Sequence, residues 1–235
     1  MTVENLTFYG QRIANLTGEG FDEYELLLRS HDNRFPGKEY SQYMENAEKH
    51  AEYMEFLMTI IPKILSKNES TIFSLNIDHQ DLEYDDTFTF LESIDEASRS
   101  RLKIELTEVA PLHRSLDAYF NGINEKSIAR IHDLGYKIIY DDIAVGMNSI
   151  GNLLAIKKYV SRIKWSYLHF SRHFEVEQLR EIILLLSNIS QAYEMELVIE
   201  GVENQGMVNW LRNNSLNFHQ GFYYSKPESL TTIDY

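Results

Sequence analysis

No cysteine occurs among the 235 residues, so neither a disulfide framework nor a thiolate metal site is available. Any metal must be held by carboxylate, amide or imidazole groups, a donor set that suits a hard cation such as magnesium or manganese. Positive charge is also scarce: 22 Lys and Arg stand against 36 Asp and Glu, a formal net charge of -14. That balance argues against broad binding to duplex nucleic acid, which depends on many cationic contacts to phosphate, but leaves room for one small anionic ligand. No apolar run reaches the ~18 residues of a membrane span, and residues 1–10 lack the basic-then-apolar order of a secretory leader. The expected location is therefore the cytoplasm. No stretch rich in Pro, Gly or Ser divides the chain, and no repeat of the solenoid kind is visible.

What the chain does have is an ordinary globular mixture, 43% hydrophobic and 25% charged, with enough apolar side chain for one large core. Its length suits an α/β barrel, which typically takes ~250 residues, so residues 1–235 are expected to form a single domain. Short β-like runs alternate with helix-like ones, the pattern of repeated βα units. Strands are expected at 21–28, 71–77, 102–106, 137–140, 162–165, 196–199 and 217–218. The clearest helix spans 41–65, where Ala47, Ala51, Met54, Met58, Ile61 and Leu65 mark one buried stripe and Pro62 introduces a kink or split. A second, at 176–193, repeats the pattern through Val176, Leu179, Ile183, Leu186 and Ile189. The acidic stretch 78–86 reads as a solvated loop.

Polar groups stand at or just after the ends of several expected strands, the carboxyl face on which parallel barrels build their sites. Glu25 lies in YELLLR, Asn76 ends SLN, Glu105 ends KIE, Asp141 and Asp142 follow KIIY, Lys164 ends RIK, and Glu200 follows LVI. One terminal carboxylate is commonly a helix cap, but several in one chain need another reason. Five carboxylates gathered at one barrel end would repel until some protonate, and two divalent cations would remove that conflict. The adjacent pair Asp141 and Asp142 suits two ions ~3.5 to 4 Å apart.

Taken in order, these segments resemble the EAL domains, which linearise cyclic di-GMP, over nearly the whole chain. Glu25-Leu26-Leu27 with Arg29 downstream resembles the EAL signature, Leu26 standing where the family usually has Ala. Ser74-Leu75-Asn76, Glu105-Leu106-Thr107-Glu108, Asp141-Asp142, Ile163-Lys164, Glu200-Gly201-Val202-Glu203 and the run from Gln220 to Pro227 resemble the family's successive motifs. The resemblance implies an α/β fold, a TIM-like (β/α) barrel with one antiparallel strand, here as a stand-alone domain that dimerises with itself. It implies that Glu25, Asn76, Glu105 and Asp141 ligate one Mg2+ or Mn2+ ion, and that Asp142 and Glu203 serve a second. Lys164 would orient the attacking water, Glu200 would be a candidate base or metal-shell group, and Gln220 would hold Lys164 and the water network. Arg29 would grip a phosphate, Glu108 would anchor the loop after Asp142, and the product would be linear pGpG.

The chain departs from the family pattern in two further places. After the aspartates the family usually has Phe, Gly, Thr, Gly, where this chain has Ile143, Ala144, Val145 and Gly146, and Ser166 stands where an aspartate is usual. Neither change deletes one of the implied ligands, so a working phosphodiesterase is expected. A weak or inactive domain that serves as a cyclic di-GMP receptor or protein-interaction module is the alternative. His79, His113 and His219 have no metal-ligand spacing and read as surface or packing residues.

Overall fold

Nine strands share one sheet among the described residues, in the order β2-β3-β4-β5-β6-β7-β8-β1-β9, and β1 also pairs with β2. The computed structural model describes residues 6–18, 20–30, 32–114 and 122–230. The strands are β1 (Leu6–Asn15), β2 (Asp22–Ser30), β3 (Thr71–Ile77), β4 (Leu102–Leu106), β5 (Ile138–Tyr140), β6 (Val160–Ser166), β7 (Glu196–Glu200), β8 (Phe218–Gln220) and β9 (Glu228–Ser229). Neighbours from β2 to β8 run parallel. β1 lies antiparallel to both β2 and β8, which closes an eight-stranded mixed barrel, and β9 pairs with β1 outside it. This is the expected TIM-like barrel, and β1, absent from the expected strands, is its antiparallel member.

The helices are α1 (Gly37–Met44), α2 (Ala47–Lys67), α3 (Asp85–Ser93), α4 (Glu96–Arg99), α5 (Glu125–Asp133), α6 (Ile150–Ile156), α7 (Tyr167–Phe170), α8 (Val176–Ala192) and α9 (Gln205–Asn213). The long helix expected at 41–65 is thus two. Asn46 interrupts it and caps α2, its side chain accepting from the Lys49 amide at 3.0 Å. Pro62 sits inside α2 without ending it, and the buried stripe is Tyr53, Met54, Leu57, Ile61, Ile64 and Leu65, rotated from the one expected. α8 lies where its periodicity predicts and buries Leu179, Ile183 and Leu186. No helix among the described residues is long and apolar enough to cross a membrane.

The stretch 78–86 is not a solvated loop: Asp78, His79, Gln80, Asp81 and Leu82 are all buried. Their carboxylates take hydrogen bonds from near and distant partners, although burial and the neighbouring Asp81 still push Asp78 up to about 7. Asp81 takes hydrogen bonds from His50 at 2.9 Å and from the Asp78 amide at 2.6 Å, while Thr107 donates to Asp78 at 2.5 Å. Satisfied in this way, carboxylates can occupy an interior that would otherwise reject them.

Candidate active site

Side chains alternate along a strand, so residues two apart on β2, β4 and β6 point the same way, into the barrel. That rule produces two stacked layers. Toward the amino ends of the strands lie Glu23, Lys103, Arg162 and Glu196, joined by ion pairs. Toward the carboxyl ends lie Glu25, Glu105 and Lys164, with Asn76, Glu200 and Gln220 from β3, β7 and β8.

Lys164, wholly buried, is the hub of this upper layer. Its Nζ is ion-paired with Glu105, with Glu200 at 2.6 Å, with Glu25 at 3.1 Å and with Asp141 at 3.3 Å. Glu25 also accepts from Asn76 at 3.0 Å and from Gln220 at 2.7 Å. Asp141 follows β5 directly, its amide bonded to the Leu106 carbonyl at 3.0 Å, and Asp142 comes next. Asp141, Asp142 and Glu200 each offer an oxygen within 4.8 Å of the others.

One ammonium does not balance this many carboxylates. Burial pushes the Glu105 carboxyl well above its ordinary range, with Glu25 and Asp141 adding repulsion that Lys164 only partly offsets. Burial likewise raises Asp141, raises Asp142 to about 7 with help from Asp141 and Glu108, and raises Glu200 to about 8. Glu25 goes the other way. Burial would raise it too, but the Lys164 charge and the hydrogen bonds from Asn76, Gln220 and Lys164 prevail. For Lys164 itself, burial favours the neutral amine, and the surrounding carboxylates overturn that and hold it well above its ordinary value.

Three buried oxygens of this layer have no hydrogen-bond donor, Glu105 Oε2, Asp142 Oδ1 and Gln220 Oε1, and Asp141 Oδ1 has only the 3.3 Å ion pair with Lys164. Orphaned acceptors among excess negative charge, with only oxygen donors on offer, fit hard divalent cations. The donor set therefore suits the Mg2+ or Mn2+ ions that the sequence implies.

The loop from Asp142 to Gly146 turns sharply, with positive φ at Asp142 (40°), Ala144 (75°) and Gly146 (45°). Gly146 is required by contact as well, because a Cβ there would stand 2.2 Å from the Glu108 carbonyl oxygen. That same oxygen accepts from the Met147 amide at 2.8 Å, so Glu108 ties down the loop through its main chain.

Beside the carboxylates lies a cavity of about 450 Å3, whose wall includes Arg29, Asn76, Thr107 and Glu108 together with apolar Phe35 and Leu112. Arg29 is half-buried and donates to the Leu28 carbonyl at 2.8 Å. A roomier cavity of about 610 Å3, near α3 and α5, touches none of these residues. Glu203 is exposed and outside the Asp141, Asp142 and Glu200 cluster. Ser166 caps α7 by accepting from the His169 amide at 3.4 Å. His219 packs between the Tyr224 hydroxyl and the Leu216 carbonyl, at 2.7 and 3.0 Å. Sequence reasoning passed over Asp78, Asn148 and the contact of His79 with Asn148, for which no spacing gives a signal.

Among protein-family models, the one described as EAL domain matches residues 2–227. The chain belongs to the EAL domain family. It is 24% identical over 90% of its length to a protein named cyclic di-GMP phosphodiesterase TpdA, from Vibrio parahaemolyticus. It is 24% identical over 95% of its length to one named cyclic di-GMP phosphodiesterase PdeA, from Borreliella burgdorferi. This EAL domain spans only 35% and 34% of those two proteins. The FimX EAL domain from Pseudomonas aeruginosa, solved bound to c-di-GMP, superposes with a TM-score of 0.76 at 18% identity, covering 99% of this chain and 94% of that one. At that identity the superposition speaks for the fold.

Proposed function

We propose that this EAL domain hydrolyses cyclic di-GMP to linear pGpG, using a water activated with the help of two divalent ions, Mg2+ or Mn2+. The observation that carries the reading is the under-compensated cluster of buried carboxylates around Lys164, opening beside a cavity walled by Arg29. Glu25, Asn76, Glu105, Asp141 and Asp142 would hold the ions, with Glu200 close enough to join them and Glu203 reaching in from the rim. Bound there, the ions would lower the pKa of a water and offset charge building on phosphorus.

The chain's own groups supply the rest. Lys164 donates hydrogen bonds to Glu25 and Glu105 and would orient the attacking water. Gln220, already bonded to Glu25, would fix the direction of that network, and Glu200 would accept the proton the water gives up. Arg29 would bind a phosphate oxygen; burial lowers its pKa and Glu25 only partly opposes that, but a guanidinium starts so high that it stays charged. The cavity at its side is of a size to accept a nucleotide base, and its apolar wall would favour a flat ring over water. The same reading takes the domain to act as a cytoplasmic homodimer, with Glu108 holding the loop after Asp142.

Incubating the purified protein with cyclic di-GMP and Mg2+ or Mn2+, with products separated by chromatography, tests the reading. Release of pGpG supports it, and intact substrate after prolonged incubation overturns it. A second reading, a receptor that binds without turnover, draws on the left-handed φ of 75° at Ala144. Calorimetric binding of cyclic di-GMP in the absence of any product would favour it.

A further inference from the structure

Asn148 lies outside every motif the function uses, yet its side chain is fully buried at the root of the aspartate loop. Its Nδ2 donates to the Asp141 carbonyl at 2.5 Å and to the Leu106 carbonyl at 2.8 Å. Both partners can only accept, so the amide nitrogen must face them and the amide oxygen must face away. It faces His79, whose Nε2 stands 3.1 Å from Oδ1. An amide oxygen only accepts, so the His79 proton resides on Nε2. The tautomer is thus dictated by the network.

The backbone of Asn148 does equal work on the loop itself. Its carbonyl accepts from the Ala144 amide at 2.7 Å, and its amide donates to the Val145 carbonyl at 2.8 Å. The loop between carries positive φ at Asp142 and Ala144, a conformation that non-glycine residues hold only where their surroundings over-determine it. Asn148 grips that strained segment at two points, the Asp141 peptide before it through its side chain and Ala144 and Val145 within it through its main chain. Turning the Asp141 peptide would swing two neighbouring carboxylates, so whatever fixes that peptide fixes where their oxygens converge.

We propose that His79 and Asn148 form a strut that aims the Asp141 and Asp142 carboxylates, making both positioning residues for the metal-dependent reaction. The inference rests on the proposed function for its consequence, but not for its geometry. His79 supplies the donor, is 2% exposed, and its ring bonds to Asn148 rather than to a carboxylate of the cluster. Its influence must therefore pass through Asn148.

Two variants of the full chain separate the donor from the bulk of the ring. In His79→Gln the amide nitrogen takes the place of Nε2 and still donates, whereas His79→Leu fills space and donates nothing. Mn2+ affinity by calorimetry is expected to match wild type in His79→Gln and to weaken about tenfold or more in His79→Leu, with kcat falling and KM for the nucleotide nearly unchanged. In metal-free protein, exchange of the Ala144 amide should quicken about tenfold in His79→Leu alone. Unchanged Mn2+ affinity and Ala144 protection in a cooperatively melting His79→Leu protein overturns the strut, as does equal damage in both variants. Should His79→Leu not fold, His79→Asn, whose amide is too short to reach Oδ1, takes its place with the same expected losses. A wild-type protein that binds no Mn2+ sinks the proposed function instead, and Ala144 exchange still judges the strut.

Discussion

At the amino end of the barrel, Glu23 and Glu196 meet Lys103 and Arg162. Two residues farther along the same strands, Glu25, Glu105 and Lys164 meet Asp141, Asp142 and Glu200. The lower layer balances its charges. Glu23 lies 2.9 Å from Lys103 and is gripped by both terminal nitrogens of Arg162, and although burial works to raise its pKa, these cations hold it below the ordinary carboxylate range. The upper layer has a single ammonium and leaves buried oxygens without donors. Closely similar strand positions therefore give one network, open to solvent at Glu196, that needs nothing further and one, wholly buried at Glu105 and Lys164, whose excess negative charge suits cations from outside. On the proposed reading, the difference marks which end of the barrel carries the chemistry and which holds it together.

Substitutions in the two layers should separate those roles most sharply. Glu25→Ala is expected to lower kcat for cyclic di-GMP by roughly 10³-fold while the protein still melts cooperatively, because it removes an implied metal donor and also relieves repulsion. Steady-state kinetics alongside calorimetry would check both halves, and near-normal turnover would erase the distinction. Glu23→Gln should do the reverse. Leaving buried Arg162 and Lys103 with only Glu196 opposite them costs about 3 kcal/mol of stability by denaturant titration, with the metal requirement of any residual activity unaltered.

Metal should act on one layer only. Mn2+ at about 100 times its Kd is expected to raise stability by about 2.7 kcal/mol in wild type, reversibly by chelation, and by much less in Glu25→Ala. Acid should act on both, and the lower layer's share can be isolated at Glu23. Glu23 is depressed below its unfolded value, so the unfolded chain takes up its proton first as pH falls. Its contribution is present above about pH 4.5 and is lost as pH drops through the lower folded value. In Glu23→Gln that portion of the acid sensitivity should vanish from stability curves, and an unchanged acid limb would show that the lower layer is not what fails.

The barrel was legible in the sequence because its inner strands are short apolar runs ended by a polar residue, as in Leu197-Val198-Ile199 before Glu200. β1 escaped because Gly10, Gln11 and Arg12 interrupt its alternation, and its pairing with β2 and β8 is what makes it a strand. Most residues at the barrel mouth were legible for the same reason as the strands: Asn76, Glu105, Asp141, Glu200 and Gln220 sit at or next to a strand end, whereas Glu25 lies midway along β2 and was legible through its motif alone. What stayed hidden were partnerships across long stretches of chain. Asp78 with Thr107 and His79 with Asn148 are brought together by topology, and neither member carries a local pattern. The acidic run 78–86 was misread on this account, since nothing nearby in sequence announces that His50 and Thr107 will answer it.

The smallest expected effect falls on the loop that divides the enzyme reading from the receptor reading. Ala144 is exposed and holds φ at 75°, so Ala144→Gly loses no packing while removing a left-handed strain of about 1 to 2 kcal/mol. Glycine's extra freedom in the unfolded chain takes back part of this, leaving a net gain of about 0.5 to 1 kcal/mol. Because the Ala144 amide is tied to Asn148, relief there should steady the aspartate pair and raise kcat modestly without changing affinity for cyclic di-GMP. A loss of stability in Ala144→Gly would mean that the methyl group, rather than the strut beneath it, is what keeps the upper layer in order.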